Sequence, residues 1–205
     1  MKANVNAAAL LRALKACLKH ASTDATRPHL NAVLVEASAE RFRCCATDGH
    51  RLIRYDLPPP SDAQPGTALL PRDVAERFAT TLATTLKLTL KGLRAETFAE
   101  LHVVDKLATL SGPGCSTTGD VSSETFPPYA QVIPEYAGSH EGADASGACR
   151  IDPSYLTDAL AACAALPRGG RGTADLTIRG TLDTMTIASE YAGESVLVVL
   201  MPQRY

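Results

Sequence analysis

The stretch CCATDGHRLIRYDLPPP, residues 44–60, places two strand-like segments on either side of a polar turn. Residues 41–46 and 52–57 alternate between apolar and polar side chains, as half-buried strands do. Between them, residues 47–51 read Thr-Asp-Gly-His-Arg, five non-apolar residues in a row. Gly49 permits a tight backbone, and Asp48 is expected to accept hydrogen bonds from the backbone N–H groups that follow. The stretch predicts two strands joined by a turn that presents His50 and Arg51.

The turn raises the question of what its polar side chains do. Asp48 and His50 could form a catalytic dyad or bind a metal, but no third ligand lies nearby in sequence. We therefore predict no catalytic residue, no metal site and no enzymatic activity. A mixed polar and apolar patch at the edge of a sheet is suited to peptide capture, although spacing alone does not establish that role.

The same β-α-β-β-β order occurs three times along the chain, which indicates an internal repeat. The first unit is predicted as a strand at 2–6, a helix at 7–20 and strands at 30–37, 41–48 and 50–57. The second is a strand at 66–71, a helix at 72–86 and strands at 86–92, 98–105 and 107–112. The third is a strand at 147–152, a helix at 154–166 and strands at 174–180, 184–189 and 195–202.

The composition is typical of a protein with an ordinary apolar core. The 205 residues are 45% hydrophobic and carry a formal net charge of −2, which does not by itself indicate nucleic-acid binding. No signal peptide and no apolar run long enough to cross a bilayer are present, so a cytoplasmic location is expected. The six cysteines form no Cys-x-x-Cys pair and are expected mostly as small buried hydrophobic residues.

Basic residues are concentrated on the first predicted helix and on the loop after it. Arg12, Lys15 and Lys19 share one face of a helix that contains no acid, and Arg27 follows in the loop. This face could simply be solvated, or it could contact DNA phosphates without reading bases. The second helix mixes both charges, so any DNA-binding surface is expected around these four residues.

Three motifs in the same order resemble the bacterial sliding clamp, the β subunit of DNA polymerase III. Residues 46–53, ATDGHRLI, are similar to a signature of its middle domain, and 126–134, FPPYAQVIP, to the segment closing that domain. Residues 195–205, SVLVVLMPQRY, resemble the clamp's C-terminal segment. The resemblance implies an α+β fold of DNA-clamp architecture with three β-α-β-β-β units. It covers the middle domain and the second half of the last domain of a usual clamp chain.

The resemblance also implies a domain division and a peptide-binding pocket. Residues 1–125 would form a clamp domain of two units, 126–147 a connecting motif and linker, and 148–205 a half domain with the C-terminal tail. Clamps hold partner proteins by one pocket between their middle and last domains. By the motif matches, the pocket residues would be Leu30, Thr47, Gly49, His50, Arg51, Leu52, Pro127, Val132, Tyr155, Leu182, Val199, Met201, Pro202, Gln203, Arg204 and Tyr205.

Two functional hypotheses follow from the resemblance. In the first, the chain is a reduced sliding clamp that forms a homo-oligomeric ring on double-stranded DNA, with a tetramer favoured. It would bind DNA polymerase and clamp-loader-type proteins through short peptides, and it needs no cofactor. In the second, the chain is a non-ring module that captures such peptides and modulates a resident replisome. Arg12, Lys15, Lys19 and Arg27 favour the first hypothesis, and the nearly neutral second and third helices favour the second.

Overall fold

The computed structural model describes residues 1–60, 62–89, 93, 96–135, 149–167, 173–178 and 183–202. The first unit comprises β1 (Lys2–Asn6), α1 (Ala7–His20), β2 (Ala32–Ala37), β3 (Phe42–Thr47) and β4 (Arg51–Leu57). The second comprises β5 (Gly66–Pro71), α2 (Arg72–Leu88), β6 (Phe98–Val104), β7 (Leu107–Gly112) and β8 (Cys115–Asp120). The third comprises α3 (Pro153–Ala164), β9 (Asp175–Thr177), β10 (Met185–Tyr191) and β11 (Glu194–Leu200), and a 3-10 helix, Tyr129–Val132, lies between the second and third units.

The first two units exchange their first strands. β1, which precedes α1, pairs with β6 of the second unit, and β5, which precedes α2, pairs with β2 of the first unit. The two resulting sheets contain the strand orders β1-β6-β7-β8 and β5-β2-β3-β4. This reciprocal exchange joins the first two units into one folded body.

The third unit extends the second of these sheets. β11 pairs antiparallel with β4, and the full strand order is β5-β2-β3-β4-β11-β10-β9. Leu52 lies opposite Val199 and Ile53 lies opposite Val198. Because opposite residues share a face of a sheet, the apolar inner face of the first unit continues into the third.

The helices pack against the inner faces of the sheets. α1 is fixed at its start by Asn6, whose side chain accepts hydrogen bonds from Ala8 N at 3.1 Å and Ala9 N at 3.0 Å. Its apolar stripe, including Leu10 and Leu14, is buried in the main core, and α1 packs against both α2 and α3. Four cysteines, Cys17, Cys44, Cys45 and Cys163, are buried, as their apolar sequence context predicts.

Three sequence predictions of secondary structure need correction. Residues 86–88, predicted to begin a strand, end α2, where the backbone N–H of Thr89 bonds to Thr85 O at 3.0 Å. Residues 115–120 form β8, which was not predicted, so the second unit keeps its element order with different strands. Residues 149–152, expected as the first strand of the third unit, form no strand. Within the described ranges, no helix is long and apolar enough to span a membrane.

Candidate functional site

The turn between β3 and β4 is held by its own polar side chains. Asp48 Oδ1 accepts hydrogen bonds from His50 N at 2.9 Å and from Arg51 N at 3.1 Å, which confirms the predicted role of Asp48. Thr47 Oγ1 accepts one from Gly49 N at 3.1 Å and donates one to Arg51 O at 2.7 Å. Gly49 has a φ of 96°, a left-handed conformation that favours glycine. The turn is therefore held in one defined conformation, with the His50 side chain exposed.

Arg51 links this turn to two helices. Its Nε lies 2.9 Å from Asp48 Oδ2, and its Nη1 lies 2.9 Å from Asp158 Oδ2 on α3. Its Nη2 donates to the backbone oxygen of Lys19 at 2.5 Å, and its guanidinium lies 4.4 Å from the centre of the Tyr155 ring. The Arg51 side chain is only 10% exposed. It is therefore mainly a structural connection between the turn, the end of α1 and α3.

The electrostatics of Asp158 reflect this connection. Partial burial acts to raise the pKa of its carboxyl group, but hydrogen bonds and charges from Arg51 and Lys19 lower it below the usual value. Lys19 Nζ lies 3.4 Å from Asp158 Oδ1. Asp158 therefore holds one cation of the turn and one of the predicted DNA surface.

The start of the C-terminal tail lies beside the turn. The backbone N–H of Met201 donates to His50 O at 2.9 Å, directly after the β4–β11 ladder. Thr47, Leu52 and Val199 occupy one row across β3, β4 and β11, on the sheet face away from the main core. Two segments about 150 residues apart in sequence are thus neighbours in space, as a pocket built from both requires.

The remaining predicted pocket residues occupy several positions. Leu30 is buried close to Gly49, and Tyr155 lies against Arg51. Pro127 lines a hollow of about 540 Å³ together with Phe126 and Tyr129, over the outer face of β2 and β5. Val132 is exposed and Pro202 is half-buried. Leu182, Gln203, Arg204 and Tyr205 lie outside the described residues.

A buried histidine lies behind the turn. His20, in the last turn of α1, has its Nδ1 2.8 Å from Ala16 O, and within the described residues its Nε2 has no hydrogen-bond partner. Burial lowers the pKa of His20 to about 4, although the hydrogen bond to Ala16 O opposes the shift. The positive charge of Arg51 lowers it further. The imidazole is therefore neutral at physiological pH.

The four predicted DNA-binding residues have different surroundings. Lys15 and Lys19 are exposed and line a groove of about 270 Å³ between α1 and the small side chains of α3, among them Ala161 and Ala162. Arg27 is exposed in the loop after α1, with its Nε 3.1 Å from Asp24 Oδ2. Lys15 forms no ion pair with any residue of the described part of the chain.

Arg12 differs from the other three because it has a buried acidic partner. Its Nε lies 3.1 Å from Glu194 Oε2 and its Nη2 contacts Glu194 Oε1, so the pair is bidentate. The Tyr55 hydroxyl donates to Glu194 Oε2 at 2.7 Å, and Glu194 is 4% exposed. Arg12 thus has a structural role that sequence analysis did not predict, and its contact with DNA stays a prediction. The network borders a hollow of about 880 Å³ at the opposite end of β4 from the turn.

Two acidic residues of this arrangement were not identified as functional from the sequence. Asp158 is the single charged residue of α3, which was a usable signal because an isolated acid on an apolar helix often has a partner. Glu194 stands at the start of β11 among ordinary strand residues, and its sequence context gave no signal. Among the described residues, no three His, Cys, Asp or Glu side chains converge as a metal site would require.

Comparison with solved structures shows the fold. The DNA polymerase III subunit beta from Pseudomonas aeruginosa matches with a TM-score of 0.76 and 15% identity, over 100% of this chain and 66% of that chain. The beta subunit from Thermotoga maritima matches with a TM-score of 0.77 and 16% identity, over the same shares. A Pseudomonas aeruginosa sliding clamp bound to griselimycin gives a TM-score of 0.74 and 15% identity. The chain thus has the sliding-clamp fold over its whole length, as the sequence motifs predicted.

The match covers slightly less than two thirds of the first of these structures, since the chain spans 66% of its length. No protein-family model matches the chain. No curated protein matches it either. At these identities the solved structures support the architecture, and the function has to be argued from the site.

Proposed function

We propose that the chain is a sliding-clamp-type processivity factor that binds partner proteins through a peptide pocket beside the 47–52 turn. The observation that carries the proposal is the contact between this turn and the tail. Met201 N bonds to His50 O, at the end of a ladder that joins the first unit to the third. This contact supports a pocket at the boundary between the first and third units, which is where the family resemblance implies one.

The chemistry of this region is suited to an extended peptide with apolar anchors. Leu52 and Val199 lie on the outer face, where both are buried within the chain, while Thr47 and His50 supply polar groups at its edge. The backbone after Leu200 continues beyond the last strand pair, so it can offer hydrogen bonds to an added strand. Partners would be DNA polymerase and clamp-loader-type proteins that carry such peptides.

The proposed contact with double-stranded DNA is made by the α1–α3 surface. Lys15 and Lys19 flank the groove between these helices, and Arg27 lies in the loop beyond α1. Exposed cations on a helix surface neutralise phosphates without reading bases, so the binding would be non-specific and sensitive to salt. The pairing of Lys19 with Asp158 and of Arg27 with Asp24 lowers the charge available to phosphates.

The proposed ring follows from the number of units. Clamp rings of the resembled family contain about a dozen β-α-β-β-β units, so four chains of three units would close one. β4, β8 and β11 are the last strands of the first, second and third units. β4 and β11 pair with each other, whereas β8 is an edge strand of its sheet. The open edge of β8 is therefore available for a contact between chains.

A second candidate is a non-ring module that binds the same peptides and modulates a resident replisome. The observation that favours it is the acid pairing of Arg12, Lys19 and Arg27, which leaves little free positive charge for DNA. The two candidates share the peptide pocket and differ in DNA binding and in assembly.

The pocket can be tested by titrating a short fluorescein-labelled peptide that carries one leucine and one phenylalanine. Deleting residues 201–205 removes the Met201–His50 bond and the tail, so we expect affinity to fall by about 30-fold or more, the effect of losing one strong anchor. A control variant, Leu107→Ser on the other sheet, should bind as the wild type does. Undiminished affinity of the truncated chain would refute the pocket.

A further inference from the structure

In its described residues, the third unit lacks two contacts that the first two units make with each other. β9 is the edge of the seven-stranded sheet and contains three residues, whereas its counterparts β2 and β6 contain six and seven. In the first two units, the place beside that strand is filled by the partner unit's first strand, β5 beside β2 and β1 beside β6. No described strand fills it beside β9, and residues 149–152, which precede α3 as β1 precedes α1, are not part of any described strand.

The apolar face of α3 is correspondingly open. Equivalent positions in the three helices can be counted from the N-cap residue of each helix. The eighth residue after the N-cap is Leu14 in α1, Ala79 in α2 and Leu160 in α3. Leu14 is 1% exposed and Ala79 is 6% exposed, but Leu160 is 41% exposed. The position that is buried in each helix of the paired units is therefore open to solvent in the third.

The sheet beneath α3 is open at the same edge. Leu176 on β9 lies opposite Ile187, which lies opposite Val198, so the three share the inner face. Ile187 and Val198 are fully buried in the core, whereas Leu176 is 51% exposed. Within the described residues, the core of the third unit thus ends in an exposed apolar edge that involves both α3 and β9.

We infer that two copies of the chain join through their third units, each completing the other's half domain. The chain itself supplies the template, because the first and second units pair by the same reciprocal exchange of first strands. Residues 149–152 of one copy would add to β9 of the other, and the two α3 helices would cover each other's Leu160. Such an interface has twofold symmetry, with the same surface on both sides.

The charge of this surface suits contact with an identical surface. Asp158 is the one charged residue of α3, and it is engaged by Arg51 and Lys19 of its own chain. The side of α3 that carries Leu160 presents no other charge, so the two α3 helices meet without like-charge repulsion. The interface also covers an edge strand that would otherwise be open to non-specific pairing. The paired chains contain three complete two-unit domains.

This inference deepens the self-association in the proposed function, and mass in solution tests it. Light scattering during gel filtration at tens of micromolar should give an even multiple of 21.6 kDa. Leu160→Glu combined with Leu176→Glu should halve that mass, while far-UV circular dichroism stays unchanged because both leucines are exposed within one chain. The matched control, Val104→Glu with Leu107→Glu, replaces two exposed aliphatic side chains on the other sheet and should keep the wild-type mass.

The outcomes separate this inference from the proposed function. A wild-type monomer, or an unchanged mass of the Leu160/Leu176 variant, overturns the inference. If that variant loses its helical signal, the milder Leu160→Ser variant replaces it in the test. Its mass should shift towards half of the wild-type mass on dilution. An unchanged mass would overturn the inference. The peptide pocket lies within one chain, so peptide titration fails only if the proposed function fails, whatever the mass.

Discussion

The buried imidazole of His20 makes the stability of the fold depend on pH in a predictable direction. Its pKa is about 4 in the folded chain, against an ordinary value of about 6.5 when the chain is unfolded. Between these values the unfolded state binds more protons, so the fold loses stability as the pH falls below 6.5. The two pKa values give a loss of about 2 kcal/mol between pH 8 and pH 5, since one pKa unit corresponds to about 1.4 kcal/mol.

The assay compares urea unfolding of the wild type and of His20→Gln at pH 8, 6.5 and 5. The chain contains no Trp, so circular dichroism at 222 nm is the suitable probe. Glutamine does not titrate, and it should remove the loss assigned to His20, whatever its effect on stability at pH 8. His50→Gln is the matched control because it removes an exposed imidazole from the adjacent turn and leaves His20 in place.

The decisive quantity is the difference between the two pH profiles. The wild type should lose about 2 kcal/mol more than His20→Gln between pH 8 and pH 5. Equal losses in the two proteins would show that His20 titrates normally in the fold. The reasoning about its burial beside Arg51, Asp48 and Asp158 would then be wrong.

Two further predictions concern the charged residues of the site. Arg51→Ala leaves Asp48 and Asp158 without their shared cation, so the free energy of unfolding measured in urea should fall by about 2–3 kcal/mol. The control Arg41→Ala, at an exposed position, should lower it by less than about 0.5 kcal/mol. Equal losses would contradict the structural role of Arg51. Lys15→Glu with Lys19→Glu should weaken duplex DNA binding on every sequence and reduce the slope of log K against log salt by about 2 in a fluorescence titration. Lys87→Glu with Lys106→Glu is its charge-matched control, and equal effects of the two pairs would place the DNA surface elsewhere.

The fold could be predicted from the sequence to the extent that it depends on local pattern. α1 spans 7–20 as predicted, because Asn6 caps it and its apolar residues recur at helical spacing. The end of α2 could not be predicted in this way. Leu86 and Leu88 fit both the alternation of a strand and the continuation of a helix, and the second possibility is the one observed. The exchange of β1 and β5 between units is a tertiary pairing that no local pattern encodes.

The candidate site shows a similar division. The backbone hydrogen bonds of Asp48 follow from its place before a glycine, so they were predictable. The bond between Met201 N and His50 O depends on the β4–β11 pairing, and only the family resemblance placed the two segments together. The role of Arg12 was not predictable because Glu194, its partner, is 182 residues away.

Two ion-pair networks connect the first unit with the third, one at each end of the β4–β11 ladder. Arg51 at one end bonds Asp158 of α3, and Arg12 and Tyr55 bond Glu194 at the other. The ladder between them is mostly apolar, and a slip of one residue would move Leu52 and Val199 to the opposite faces of the sheet. A slip would also separate the charged side chains of both networks from their partners. Leaving partly buried charges unpaired costs much free energy, so the two networks fix the register. They thereby keep the turn and the tail side by side, which is the geometry on which the proposed pocket depends.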